Sequence, residues 1–236
     1  MNYKTLSIII PSYNEKKTLL TVINRIKKQK TFNLRKEIII VDDGSTDGTK
    51  KILKRLKGCK IQFHKRNKGK GAAIITGLRS ATGNIILIQD ADLEYNPNEY
   101  PRLLSPILKN SCQIVYGSRF KSRKGHLRDN HLTYTLHAIG NNFLTHITNL
   151  LYFANLTDME TCYKVFTRET LNQIGTLKAK GFDFEPEITA KFLKKGLKIK
   201  EIEIDYYSRD FNDGKKITWK DGIKAFFVLI KFRFLN

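Results

Sequence analysis

Residues 37–56 read EIIIVDDGSTDGTKKILKRL. The run from Glu37 to Val41 is apolar after its first residue and does not alternate with polar positions, the pattern of a strand covered on both faces. From Asp47 to Leu56 the apolar residues Ile52, Leu53 and Leu56 return at three- and four-residue steps, which predicts a helix. Between them, Asp42-Asp43-Gly44 turns the chain, with Gly44 supplying the turn and Ser45-Thr46-Asp47 supplying helix-capping oxygens. Strand, polar tip and helix in immediate succession form one βα unit.

The unit repeats. Leu6 to Ile10, Ile85 to Gln89 and Gln113 to Tyr116 are further buried-strand runs, and helix patterns cover Glu15 to Lys30, Gly71 to Ser80 and Pro97 to Leu108. The last of these admits Pro101 only near its first turn. Alternation of this kind predicts an α/β fold built on a doubly wound, mostly parallel sheet flanked by helices. The second half reads differently. Leu132, Leu136, Ile139, Phe143, Ile147 and Leu150 mark a long amphipathic helix, Ile199 to Tyr206 alternates as an edge strand, and a basic, apolar helix runs from Trp219 to the end. With no repeat and no Pro/Gly/Ser linker, residues 1–236 read as a single domain: 1–120 a ligand-binding half, 121–218 a second half, 219–236 a C-terminal amphipathic helix.

The chain of 236 residues is 41% hydrophobic and 11% aromatic, enough to bury a core and too apolar for a disordered protein. Its 43 Lys and Arg against 22 Asp and Glu give a formal charge of +21, which favours polyanionic partners: nucleic acid, anionic lipid or phosphorylated substrates. Cys59, Cys112 and Cys162 are widely spaced and read as reduced thiols, the pattern of a cytoplasmic protein. The opening apolar run is too short for a signal peptide, and no stretch reaches the ~20 apolar residues of a spanning helix.

In an open α/β sheet the ligand sits at the carboxyl ends of the strands. The residues there are unusually polar: Pro11-Ser-Tyr-Asn-Glu15, Asp42 to Gly48, Asp90-Ala-Asp92 and Gly117-Ser-Arg119. Asn14 has a bland reading as a helix cap, with Glu15 opening the helix. Asp42 and Asp43 resist that reading, since capping needs one acceptor and adjacent carboxylates repel. A strand-tip Asp suits the N–H edge of a nucleotide base. Asn67-Lys-Gly-Lys-Gly71 offers glycines, lysines and helix-start N–H groups to a phosphate, or is simply a solvated basic loop; GxxxxGK[ST] is absent.

Asp90 and Asp92 leave one strand two residues apart and can both reach one ion. Hard cations such as Mg²⁺ or Mn²⁺ take such oxygens, with substrate phosphates and water completing the shell. A turn and helix start would account for Glu94 and Asn96-Pro97, but not for both aspartates.

Taken in order, Ser7 to Glu15, Ile39 to Gly48, Asn67 to Gly71, Asp90-Ala-Asp92 and Gly117-Ser-Arg119 resemble the family 2 glycosyltransferases of GT-A fold, in the dolichol-phosphate mannose synthase-like and polyprenyl-phosphate glycosyltransferase branch. The resemblance implies that Pro11, Tyr13, Glu15 and Asp42 hold the nucleoside of a nucleotide-sugar, that Lys70 lies near its phosphates, and that Asp90, Asp92 and Glu94 face a Mg²⁺ or Mn²⁺ ion. It implies that Arg119, Arg209 and Lys216 meet phosphate. Thr157-Asp-Met-Glu-Thr-Cys-Tyr-Lys164 aligns beside the acceptor, where the mannose synthases more often carry glycine, phenylalanine and arginine.

The expected chemistry is an inverting transfer of a hexose, from a GDP- or UDP-linked donor to a polyprenyl phosphate or a glycan hydroxyl, with the metal held by Asp92, together with Lys70, Arg119 and Arg209, stabilising the leaving diphosphate. A hydroxyl acceptor needs a base, for which Asp158 and Glu160 are candidates; an ionised lipid phosphate does not. Lys121, Arg123, Lys124 and Arg128, with the long helix and the Phe226 to Ile230 tail, suit the anionic cytoplasmic face of a membrane, where Arg128 would meet the acceptor phosphate; a homodimer or a separate anchoring protein fits the same surface. The rival readings fit less well. A noncatalytic nucleic-acid binder would not gather carboxylates at its strand ends, and a nucleotidyltransferase would carry a glycine-rich signature after the first strand.

Overall fold

The computed structural model of the chain describes residues 3–121, 132–207 and 219–235. Its core is β1 (Thr5–Ser12), β2 (Arg35–Asp42) and β4 (Ile85–Ile88), all parallel, with β3 (Lys60–Phe63) beside β2. Ile8, Ile9, Ile10, Ile39 and Ile40 are fully buried, as unbroken apolar runs demand. Each such side chain removed from water contributes about 1.5–3 kcal/mol.

The helices fall where apolar spacing put them, with shorter bounds: α1 (Leu19–Lys28), α2 (Thr49–Arg55), α3 (Lys70–Ser80) and α4 (Tyr100–Leu108). A 3₁₀ turn at Pro97–Glu99 leads into α4 and puts Pro101 in its first turn. Glu15 does not open α1. Its carbonyl accepts from Thr18 N (3.2 Å) and Leu19 N (3.0 Å), a turn that precedes the helix. At Gly77 a Cβ would stand 2.5 Å from Ile9 Cγ2, so the glycine lets α3 lie close on the sheet.

Beyond β4 the sheet departs from a purely parallel plan. The order is β3-β2-β1-β4-β6-β5-β7, with β5 (Ile114–Ser118), β6 (Lys164–Thr167) and β7 (Lys200–Glu203). Strand β6 runs antiparallel to both β4 and β5, and β7 pairs parallel to β5 at the edge. The predicted edge strand of residues 199–206 is therefore shorter than its alternation, although Tyr206 still makes an isolated bridge to Tyr95.

The long helix α5 (Leu132–Tyr152) packs against α7 (Phe184–Lys194) and α8 (Trp219–Phe234), while the short α6 (Arg168–Gln173) follows β6. Leu144, Tyr152, Met159, Ala190, Ala225 and Leu229 form a second, smaller core between these helices. The Tyr152 hydroxyl donates to Leu229 O at 2.7 Å.

Candidate active site

The polar loops at the carboxyl ends of β1 and β2 are laced together by local hydrogen bonds. Asn14, with φ 57°, does not cap α1: its Oδ1 accepts from Thr46 N (2.8 Å), and its own N donates to Ser45 Oγ (2.9 Å). Asp47 accepts from Thr49 N, the first residue of α2 (2.9 Å), and, across the loops, from Lys16 N (3.0 Å). Glu15 N donates to Thr49 Oγ1 at 3.1 Å. Pro11 and Asp42 are thereby fixed at the tips of paired strands.

The adjacent aspartates have separate jobs. Asp43 accepts from His64 Nδ1 (2.6 Å), Lys68 N (2.9 Å) and Gly69 N (2.8 Å), so it anchors the 67–71 loop. Asp42 is fully buried; its Oδ2 accepts from Ser45 N (3.3 Å), while Oδ1 has no partner among the described residues. Ser12 Oγ, on the residue in register with Asp42, is likewise buried and unpartnered. A buried polar atom left unpaired costs about 1–3 kcal/mol, so these two mark where a ligand's polar edge is wanted.

The phosphate-cradle reading of Asn67 to Gly71 is corrected. Lys68 N and Gly69 N are spent on Asp43, while Gly71 N and Ala72 N, at the start of α3, donate to Gly181 O (3.1 Å) and Lys180 O (3.0 Å). Gly69 has φ 98°, and a Cβ there would stand 2.3 Å from Lys180 O. These glycines admit the 179–181 backbone. Neutralising a phosphate is left to side chains.

Lys70 opens α3 and points at carboxylates. Its Nζ lies 3.0 and 3.1 Å from the two oxygens of Asp90, and 3.1 Å from Glu185 Oε1 in the first turn of α7. Burial pulls the ammonium pKa down, but Asp90 and Glu185 outweigh it and hold Lys70 well above its usual range. Asp92 follows in a tight turn: its Oδ1 accepts from Glu94 N (3.1 Å) and Leu93 takes φ 70°, rare outside glycine. Buried Gln89 clamps the turn, its Nε2 donating to Asp90 O (3.0 Å) and Tyr95 O (3.3 Å) while its Oε1 accepts from Tyr100 and Tyr163.

Glu94 sits apart, accepting from the Tyr206 hydroxyl at 2.9 Å. Among the described residues no three His, Cys, Asp or Glu side chains gather round one point. The donor set present, two hard carboxylates two residues apart at a strand end, fits a Mg²⁺ or Mn²⁺ ion that completes its shell with phosphate and water.

Arg119 and Asp158 meet as a pair. The guanidinium grips both carboxylate oxygens, Nε to Oδ2 at 2.7 Å and Nη2 to Oδ1 at 2.8 Å, and Arg119 N adds a third bond at 2.9 Å. Asn141 Nδ2 donates to Oδ1 at 3.3 Å, and Asp158 is fully buried. Asp158 as a general base is therefore corrected, because its lone pairs are occupied and its partner is a fixed cation. Arg119 braces this corner and stacks over Tyr206, its Cζ 5.2 Å from the ring centre.

Glu160 is different: Oε1 is buried without a partner, and burial, followed by the nearby Glu185, pushes its carboxyl up to about 8. Lys164, its neighbour in this cluster, donates to Met159 O (2.8 Å) and Thr161 O (2.6 Å), and burial pulls its ammonium down to about 8. Arg128, Arg209 and Lys216 lie outside the described residues, as do Arg123 and Lys124.

Sequence reading missed Gln89 and Glu185. Glu185 and Glu187 lie two apart at a helix start, but only Glu187 finds local backbone donors, Lys178 N and Ala179 N.

On the far side, α5 and α8 expose Ile139, Phe143, Leu150, Ile223 and Phe227, and Phe153 just beyond α5 is 86% exposed. Lys220, Lys231 and Arg233 share α8 with this apolar face. No helix among the described residues is long and apolar enough to cross a membrane.

Comparison with known proteins gives a consistent picture. The profile described as Glycosyl transferase family 2 matches residues 7–175. A UDP-N-acetylglucosamine–dolichyl-phosphate N-acetylglucosaminyltransferase of Methanococcus voltae is 30% identical over 250 residues, spanning 98% of this chain and 96% of that protein. A dolichyl-phosphate beta-glucosyltransferase of Dictyostelium discoideum is 29% identical, spanning 98% of this chain and 75% of its own length. Among solved structures, glucosyl-3-phosphoglycerate synthase from Mycobacterium tuberculosis in complex with UDP superposes with a TM-score of 0.73 at 19% identity, covering 99% of this chain and 81% of that one. The complex of that enzyme with Mn²⁺, UDP and glucosyl-3-phosphoglycerate gives a TM-score of 0.70 at 20% identity, covering the same shares.

Proposed function

The chain belongs to glycosyl transferase family 2, and from that membership we propose that it moves a hexose from a nucleoside-diphosphate donor to a polyprenyl phosphate at a membrane surface. It is a glycosyltransferase of GT-A fold, in the polyprenyl-phosphate branch. One observation carries the finer reading: Asp42 with its unpartnered Oδ1, the Lys70–Asp90 pair and the Asp92 turn gather at the carboxyl ends of β2 and β4, the parallel strands on either side of β1. The dolichyl phosphate in the names of both relatives supports the acceptor class.

In this reading Pro11, Tyr13 and Glu15 frame the nucleoside, and Asp42 Oδ1 takes an N–H of its base. Asp90 and Asp92 would hold Mg²⁺ or Mn²⁺, which when bound neutralises charge growing on the leaving diphosphate. Lys70 adds a fixed ammonium beside those phosphates, already oriented and partly desolvated, so little reorganisation is needed as charge develops. A polyprenyl phosphate arrives ionised and attacks the anomeric carbon from the face opposite the diphosphate, with no base required. The apolar face of α5 and α8 would rest on the lipid, its lysines on anionic headgroups.

Donor binding is tested by a thermal-shift panel of UDP, GDP and their sugars with and without Mn²⁺. Ligand at 100 times Kd should add about 2.7 kcal/mol of stability. The nucleoside reading fails if no nucleotide raises Tm.

The acceptor is tested with anionic vesicles carrying a polyprenyl phosphate. The protein should float with the vesicles at moderate salt and label the lipid. Glu160 favours a second reading, in which its raised carboxyl takes the proton of a glycan hydroxyl. In that case labelling would need a hydroxyl acceptor, and its rate would climb as pH rises through about 8, where Glu160 loses its proton.

A further inference from the structure

The geometry points to Glu185 as a positioning residue that draws the Lys70 ammonium from Asp90 and so leaves Asp90's charge to its ion. This rests on the donor-site reading above and adds a residue that the strand-end motifs do not contain.

Lys70 has two carboxylate partners where one would satisfy a buried ammonium. Asp90 already meets Nζ with both oxygens, and Glu185 approaches from another helix at 3.1 Å. Asp90 and Glu185 outnumber the ammonium they both contact, while Lys164 acts on Glu185 from further off. Glu185 is 3% exposed, and its Oε2 has no partner among the described residues. A group serving only to stabilise the fold would not leave an orphaned oxygen buried, because that costs free energy. The carboxylate sits beside the strand end where a doubly charged ion is wanted.

The placement is rigid. Glu185 follows residues 180 and 181, whose carbonyls take the first amides of α3, so Lys70 and Glu185 start two helices that are hydrogen-bonded head to loop. Asp183 Oδ1 accepts from Gly181 N (2.7 Å), and Lys224 of α8 reaches Asp183 Oδ2 at 2.9 Å. By drawing one of the ammonium's hydrogens to itself, Glu185 competes with Asp90 for Lys70. A neutral residue at 185 would release Lys70 to neutralise Asp90.

The test measures Mn²⁺ alone binding to nucleotide-free protein, by the paramagnetic resonance of the free ion, alongside calorimetric binding of UDP and GDP without metal. Glu185→Gln should weaken Mn²⁺ about tenfold, as loss of one nearby charge in a partly buried site implies. It should leave metal-free nucleotide binding unchanged or tighter, since a carboxylate near the phosphates is gone. Glu185→Asp should recover part of the Mn²⁺ affinity. Lys70→Gln should move the other way, tightening Mn²⁺ and weakening metal-free nucleotide; this variant decides the matter if Glu185→Gln does not fold.

Equal weakening of both ligands by Glu185→Gln marks a merely structural role and overturns the inference. So does unchanged Mn²⁺ affinity in Glu185→Gln, or Mn²⁺ binding by Lys70→Gln that is unchanged or weaker. A wild-type protein that binds nucleotide but no Mn²⁺ overturns the metal assignment and the inference with it.

Discussion

Asp92→Asn is expected to lower turnover by about 10² to 10³, the scale of losing one preorganised electrostatic group at a site of developing charge. The variant isolates charge from architecture. The Asp92 Oδ1 bond from Glu94 N is one that an asparagine carbonyl oxygen can still accept, so the turn through Leu93 should survive. Stability should stay close to wild type while kcat at saturating donor and Mn²⁺ collapses. Wild-type turnover by Asp92→Asn would remove the carboxylate pair from the mechanism, and a large fall in Tm would mean that the turn itself had been broken.

Arg119→Met is expected to reduce the free energy of unfolding by about 3–5 kcal/mol, the cost of leaving a buried carboxylate without its counter-ion. Asp158 has no exposure to soften that loss. Once the guanidinium goes it keeps, among the described residues, Arg119 N at 2.9 Å and Asn141 Nδ2 at 3.3 Å. Urea unfolding of Arg119→Met, Asp158→Asn and the double variant separates the pair from its parts. Adding Asp158→Asn to Arg119→Met should restore much of the stability, because the stranded charge is what costs. A single variant within ~0.5 kcal/mol of wild type would show the pair to be solvated, and would reopen Asp158 as a base.

Much of the fold was legible because buried parallel strands advertise themselves as apolar runs, and each run here ends in a polar tip. What escaped was short or distant. Lys60–Phe63 is a four-residue edge strand with two polar positions, half exposed, and carries little periodicity. Lys164–Thr167 opens on a lysine that is buried only because its ammonium finds two backbone carbonyls and the face of Tyr116, 4.1 Å from the ring centre. Nothing local announces that.

The site was legible to a similar depth. Residue types at strand ends marked Asp42, Asp90 and Asp92, since those loops are contiguous with the strands that aim them, and Lys70 stood in the glycine-lysine loop before a helix. The partners those residues choose come from far along the chain. Lys180 and Gly181 close the amides of α3, Glu185 claims Lys70, and Arg119 occupies Asp158, all through tertiary contacts with no signature in spacing.

The reversed strand β6 has a consequence for how this chain can be divided. It lies between β4 and β5, so the segment from Asp158 to Lys164 enters the middle of the sheet from a remote part of the sequence. Severed at residue 120, the first portion would keep its donor-side groups but bare the apolar rim of Ile85–Ile88, an invitation to self-association. The early strands β4 and β5 are thus stitched together through a late strand bonded to both, and any opening needed to admit a ligand falls to the loops above it.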